Sequence, residues 1–160
     1  MSLEKDIALL RGVATFDMLN GEALRILAIS AEMRDLTDGE TLFRAGETAD
    51  CAYVVSAGLI HLVADLAGGD RRTLYEVKPG ALIGETALVA ANPRPATAVA
   101  AEPSRVMRVS RSTFLRMLEE FPEATAKLRR TFARRLETTM RALDKVRTQL
   151  EDPPALPRRR

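Results

Sequence analysis

The sequence predicts an α+β domain, with short antiparallel strands that form a sandwich or roll and helices before and after them. Three observations carry this. Apolar residues recur at helical spacing near both ends, as Ile7, Leu10, Leu24, Leu27 and Ile29 and again as Phe114, Leu115 and Leu118. Between Leu36 and Val109 the apolar runs are short and are punctuated by Gly, Pro, Asp and Asn. The 160 residues suffice for one good core and not for two.

Taken in order, Leu3 to Met33 reads as helix, broken at Asn20-Gly21. Asn20 is placed to cap a second helix with Ala23 or Leu24 in its first turn, so two short helices should flank a turn containing Phe16 and Met18. The roll is expected over residues 36–109. Its strands are Thr41-Leu42-Phe43, Ala52 to Val55, Leu59 to Ala64, Arg72 to Val77, a strand ending at Ile83, Thr97 to Ala101 and Ser104 to Val109. Ala67-Gly68-Gly69-Asp70 is a hairpin turn, and Lys78-Pro79-Gly80 is another. Such closely spaced short strands suit an antiparallel sandwich or roll. Helices are expected over residues 112–150, with Ser112 as the first cap and a break at Phe121-Pro122. The long second helix carries Phe132, Leu136, Thr139, Leu143, Val146 and Leu150 at spacings of four and three, a heptad seam. Asp152-Pro153-Pro154 ends it, and residues 152–160 read as a disordered basic tail.

Composition narrows the chemistry. The lone Cys51 excludes an internal disulfide and a four-cysteine metal site. The lone His61 argues against a histidine metal site or a Ser–His–Asp triad. No base–nucleophile pair and no metal cluster is visible, so the chain is not expected to be an enzyme. No apolar run approaches a membrane span, and Glu4 and Asp6 precede any apolar stretch, unlike a secretory signal. The net charge of +2 divides into −6 over residues 1–104 and +8 over residues 105–160. Much of the basic excess alternates in sign along helix, which reads as a solvated face rather than a nucleic-acid surface.

The informative stretch runs from Ile83 to Thr97. Gly84 permits an unusual turn after a strand, and Glu85 to Val89 can form a turn or two of helix. A helix start directs backbone N–H groups at an anion, and Arg94, nine residues beyond Glu85, can face the same anion. That suits a ligand with a phosphate and sugar hydroxyls, although an arginine between Pro93 and Pro95 is also what an ordinary surface turn looks like.

The stretch resembles the phosphate-binding cassette of the cyclic nucleotide-binding domain family. The family pattern is roughly Phe-Gly-Glu-Leu-Ala-Leu, a few variable residues, then Pro-Arg-Ala-Ala-Thr-Val. Gly84, Glu85, Ala87, Leu88, Pro93, Arg94, Ala96 and Thr97 match it. The two N-terminal helices, the glycine turn after Tyr53 to Ala57, Lys78-Pro79-Gly80 and the closing helices also sit where the family has them. The resemblance implies a β-roll of jelly-roll type flanked by N-terminal helices and a long C-terminal helix. It implies that Arg94 pairs with a cyclic phosphate and that Glu85 accepts from the ribose 2′-hydroxyl. Gly84 and the N–H groups of Thr86 and Ala87 would complete the cradle, with the base near Thr97. Three residues depart from the pattern: Ile83, Thr86 and Pro95. Pro95 matters most, because it has neither the N–H nor the hydroxyl that the family offers the phosphate there. The missing donor costs about 1 kcal/mol, and the missing hydroxyl argues against a cGMP preference.

The expected function is that of a cytoplasmic sensor that binds a cyclic nucleotide, cAMP ahead of cGMP, with no other cofactor. It would signal through its C-terminal helix to an effector protein, or as a homodimer paired through residues 132–150. The sequence shows no helix-turn-helix after Leu150 and no membrane span, so neither direct DNA binding nor membrane association is expected. The alternative is a degenerate, ligand-free interaction module on the same fold, which Pro95 would suit.

Overall fold

The computed structural model describes residues 2–17 and 19–130. It has two compact units, Met1–Phe121 and Pro122–Arg160. In the second, residues 122–130 are helical. The expected heptad seam and basic tail lie outside the described residues.

The first unit opens with α1 (Leu3–Arg11), whose cap Ser2 accepts from the Lys5 N–H, and a 3-10 turn at Ala14–Phe16. Helix α2 (Gly21–Ser30) follows, and Asn20 caps it by accepting from the Ala23 N–H at 2.8 Å. The expectation of helix as far as Met33 is corrected, since β1 (Glu32–Leu36) begins at Glu32. Glu32, Met33, Arg34 and Asp35 have no apolar alternation to betray a strand. Strand β1 tolerates them because it is an edge strand, paired only with β8, and polar side chains suit such an edge. The roll therefore spans residues 32–110 rather than 36–109.

The remaining strands are β2 (Thr41–Phe43), β3 (Cys51–Ala57), β4 (Ile60–Asp65), β5 (Arg71–Val77), β6 (Leu82–Ile83), β7 (Thr97–Ala100) and β8 (Ser104–Ser110). They form two antiparallel four-stranded sheets, ordered β1-β8-β3-β6 and β2-β7-β4-β5. Leu36, Val55, Val106 and Ile83 of one sheet and Leu42, Phe43, Ile60, Val77 and Ala98 of the other share the core. Each large apolar side chain buried there contributes about 1.5–3 kcal/mol. Strand β3 is buried along most of its length, from Cys51 to Val55, so it forms a firm floor for whatever packs on it.

Helix α3 (Arg111–Glu120) has its cap two residues earlier than expected. Its cap is Ser110, which accepts from the Thr113 N–H at 3.2 Å, and not Ser112, which lies inside the helix. Leu10, Phe16, Leu24, Leu27, Phe114 and Met117 are all buried, and the Phe16 and Phe114 rings lie 6.1 Å apart. These helices thus hold a second apolar cluster beside the roll.

Candidate functional site

The site is built on β3. Strand β6 pairs with it through Tyr53 opposite Ile83 and Val54 opposite Leu82. The chain then turns sharply at Gly84, with φ 77° and ψ 40°, a left-handed conformation that side chains with a Cβ rarely adopt. Space gives a second reason for glycine, because a Cβ on residue 84 would run into Nη1 of Arg94. Glu85–Leu88 form a single 3-10 turn rather than a longer helix. Ala87 and Leu88 are buried and anchor it, while Thr86 and Val89 face outward. The Ala87 N–H donates to the Gly84 carbonyl at 3.0 Å, inside the turn.

The returning chain is fixed by a short antiparallel ladder against residues 46–49. Arg94 N–H donates to the Glu47 carbonyl at 2.8 Å, and its own carbonyl accepts from Gly46 N–H at 2.8 Å. Ala49 N–H donates to the Asn92 carbonyl at 3.0 Å, and Thr48 bridges to Pro93. With its backbone held in both directions, Arg94 sends its side chain inward. The residue is only 6% exposed. Its guanidinium carbon lies 4.2 Å from the centre of the Phe43 ring and 5.7 Å from that of Tyr53. Those two rings are themselves stacked at 6.0 Å. A cation over an aromatic face in such a place gains about 1–2 kcal/mol.

The two terminal nitrogens of Arg94 have different surroundings. Nη2 donates to the Cys51 carbonyl at 2.7 Å and lies 3.4 Å from Cys51 Sγ. Nη1, which faces Gly84, is buried without a hydrogen-bond partner. A buried polar group left so costs about 1–3 kcal/mol, and a charged one more. Chemically, the arrangement is a buried cation with one hand held by the protein and the other directed at a glycine turn. It fits a small anion carried by a ligand. Beneath it, burial and a hydrogen bond to Cys51 push the Tyr53 phenol up to about 12. Tyr53 therefore stays neutral below Arg94 throughout the physiological range.

The residues expected from sequence are not all alike in place. Gly84 and Arg94 are brought into contact. Glu85 opens the turn and is half-buried, and Thr86 and Pro95 are exposed. Ala96 and Thr97 are buried in the roll, where the Thr97 hydroxyl accepts from Ala45 N–H at 3.0 Å. Cys51 is the buried small residue expected, and His61 pairs loosely with Glu76 at 3.5 Å. Sequence reasoning missed the second role of Cys51, whose carbonyl holds the guanidinium, and the stacking roles of Phe43 and Tyr53. One signal existed: Cys51 and Tyr53 are two apart in a strand and so share a face. Nothing local announces that Phe43 lies opposite.

Among the described residues no helix is long and apolar enough to cross a membrane. Among the same residues no group of three or more His, Cys, Asp or Glu side chains is placed to hold a metal.

Residues 33–121 match the model of the cyclic nucleotide-binding domain. The chain is 29% identical over 135 residues to the cyclic AMP receptor protein of Thermus thermophilus, covering 84% of this chain and 62% of that one. Among solved structures, it is similar to the N-terminal domain of a transcriptional regulator from Streptomyces coelicolor. That match has 32% identity and a TM-score of 0.77, and covers 84% of this chain and 94% of the other. A cyclic nucleotide-binding-like protein from Brucella abortus matches with 45% identity and a TM-score of 0.66, over 71% of this chain and 97% of that one. The chain spans less than two thirds of the length of the curated relatives it matches. It belongs to the cyclic nucleotide-binding domain family.

Proposed function

We propose that this cyclic nucleotide-binding domain is a sensor for cAMP, with Arg94 and the Gly84–Leu88 turn as its phosphate cradle. The observation that supports this reading best is Nη1 of Arg94, charged, buried and without a partner beside Gly84. An exocyclic oxygen of a cyclic phosphate accepts from that nitrogen and removes the penalty of leaving it unpaired. A charge-assisted bond of this kind contributes about 1.5–3 kcal/mol. Glu85 accepts from the ribose 2′-hydroxyl, and the Thr86 N–H, at the start of the turn, donates to the phosphate. The Ala87 N–H contributes less, because it already serves the Gly84 carbonyl. The base lies against the roll near Thr97.

Pro95 has no N–H to offer, which lowers affinity by about 1 kcal/mol relative to a residue that has one. Without a hydroxyl at 95, cAMP is preferred to cGMP. Phosphate capture shifts the cassette turn, and the shift passes to α3 and on to the C-terminal helix, where it biases pairing of two copies through residues 132–150 or exposes a surface to an effector.

The test is calorimetric titration of ligand-stripped protein with cAMP, cGMP and 5′-AMP, with Arg94→Ala alongside. Micromolar or tighter cAMP binding, weaker cGMP and loss in the variant are expected. No heat with any nucleotide at millimolar concentration would overturn the sensor reading. It would favour a ligand-free interaction module, a reading that draws on Pro95 and on the bond already tying Arg94 to Cys51.

A further inference from the structure

Arg111 stands outside the cassette and outside every motif of the sequence, yet its side chain ties together the parts that a bound phosphate would move. It is the first residue of α3. Its backbone N–H donates to the Asp50 carbonyl at 2.8 Å. Its Nη1 donates to the Ala49 carbonyl at 2.9 Å and also to the Ala87 carbonyl at 3.3 Å.

Each acceptor belongs to a different wall of the cradle. Ala87 is in the 3-10 turn that follows Gly84. Ala49 belongs to the segment whose ladder fixes Arg94, since its N–H holds the Asn92 carbonyl while the Glu47 carbonyl holds the Arg94 N–H. One guanidinium nitrogen therefore joins the turn, the segment behind Arg94 and the start of α3. The two bonds differ in length. The shorter one fastens Arg111 to the fixed ladder, and the longer one to the turn, so the contact with Ala87 is the one that yields or follows when the turn moves.

We propose that Arg111 is a positioning residue that couples occupancy of the cassette to α3. This rests on the cyclic-nucleotide reading above. A turn drawn toward the phosphate takes the Ala87 carbonyl with it. Arg111 either follows, carrying the first turn of α3, or releases Ala87 and frees that turn. In both cases the exchange behaviour of α3 becomes dependent on nucleotide. Without the guanidinium, the turn moves and α3 does not register it. An element that both ends bias is the physical requirement for coupling, and the Arg111 side chain with its two acceptors supplies the polar one, beside the packing of the turn on α3.

The experiment is amide hydrogen exchange on wild type, Arg111→Ala and Arg111→Lys, each with and without saturating cAMP, with cAMP affinity measured by calorimetry. In wild type, cAMP is expected to change exchange in peptides covering residues 84–94 and 111–120. In Arg111→Ala the change over 84–94 persists, affinity stays within about tenfold of wild type, and the change over 111–120 falls to under about a quarter. Arg111→Lys keeps the charge and some donors, so it guards against a folding failure of the alanine variant, and an intermediate response is expected. An α3 response in Arg111→Ala equal to that of wild type overturns the proposal. So does a wild-type response confined to residues 84–94. If wild type shows neither heat nor any change over 84–94, the cyclic-nucleotide reading itself fails and the coupling falls with it. That outcome is recognised in the cassette peptides rather than in α3.

Discussion

Two of the loops in which a glycine with positive φ precedes an arginine, the β4–β5 hairpin and the turn at Gly84, hold their arginines in opposite circumstances. In the β4–β5 hairpin, Gly68 and Gly69 both have φ near 84°, and a Cβ on either would meet nothing within 4 Å. Arg71 beyond them pairs with Asp65 at 3.0 Å on the surface. In the cassette, Gly84 has a similar φ of 77°, but a Cβ there would run into Arg94. That arginine is only 6% exposed, stacked on Phe43, and has one nitrogen unpaired. The hairpin glycines serve only the turn, whereas Gly84 serves the turn and also leaves room for a cation. A glycine–arginine pair in sequence therefore says little, and the ring stack and ladder that bury the arginine make the difference.

The largest expected effect falls on Arg94. Arg94→Ala should weaken cAMP binding at least 100-fold, equivalent to about 2.7 kcal/mol, as read by calorimetry. Arg71→Ala should leave affinity unchanged and cost no more than about 0.5 kcal/mol of stability, because exposed ion pairs contribute little. Equal effects would break the comparison. Gly84→Ala should come next. It pays the left-handed backbone cost of about 1–2 kcal/mol and also displaces the guanidinium, so it loses both stability and binding. Gly68→Ala pays the backbone cost alone and keeps affinity. Denaturant unfolding and titration of both variants sharpen the contrast.

A third contrast uses the two tyrosines. Tyr75 is 70% exposed on β5, while Tyr53 is buried under Arg94. Burial and the hydrogen bond to Cys51 raise the Tyr53 phenol to about 12. The unfolded chain therefore loses this proton before the folded one does. The stability that Tyr53 contributes is intact below pH 10 and is lost as the pH rises from there to about 12. Tyr53→Phe should remove that decline in unfolding curves taken across the alkaline range, and Tyr75→Phe should not. The last contrast concerns the scaffold: Ser110→Ala removes the cap of α3 and should cost about 1 kcal/mol, without the Arg94 stack being touched.

Much of this was legible in the sequence, and the failures have physical causes. The turn at Gly84 and its closeness to Arg94 could be anticipated because the two lie ten residues apart on either side of one short turn. The strands from β2 to β8 could be read because glycines and prolines bound them. Strand β1 was hidden because an edge strand needs no apolar alternation, so Glu32 and Met33 read as the end of a helix and Arg34 and Asp35 as the link to the roll. The cap of α3 was misplaced by two residues because Ser110 and Ser112 both suit a cap, and only the end of β8 decides between them. The Arg94 surroundings were invisible because Phe43, Cys51 and Tyr53 reach it across 41 to 51 positions of sequence. The two acceptors of Arg111 were hidden for the same reason.

The central claim is that Arg94 is buried for a ligand and not for the fold. Arg94→Met tests it most directly, because methionine keeps a stem over Phe43 and removes the charge. Melting curves are taken with and without cAMP for wild type and variant. The account predicts that nucleotide-free midpoints differ by the equivalent of no more than about 1 kcal/mol, since removing an incompletely paired buried cation offsets the lost bond to Cys51. It also predicts that cAMP at 100 times its dissociation constant stabilises wild type by about 2.7 kcal/mol and leaves Arg94→Met unmoved. A variant that melts far below wild type without nucleotide yet still responds to cAMP would contradict it, and would make Arg94 a structural residue.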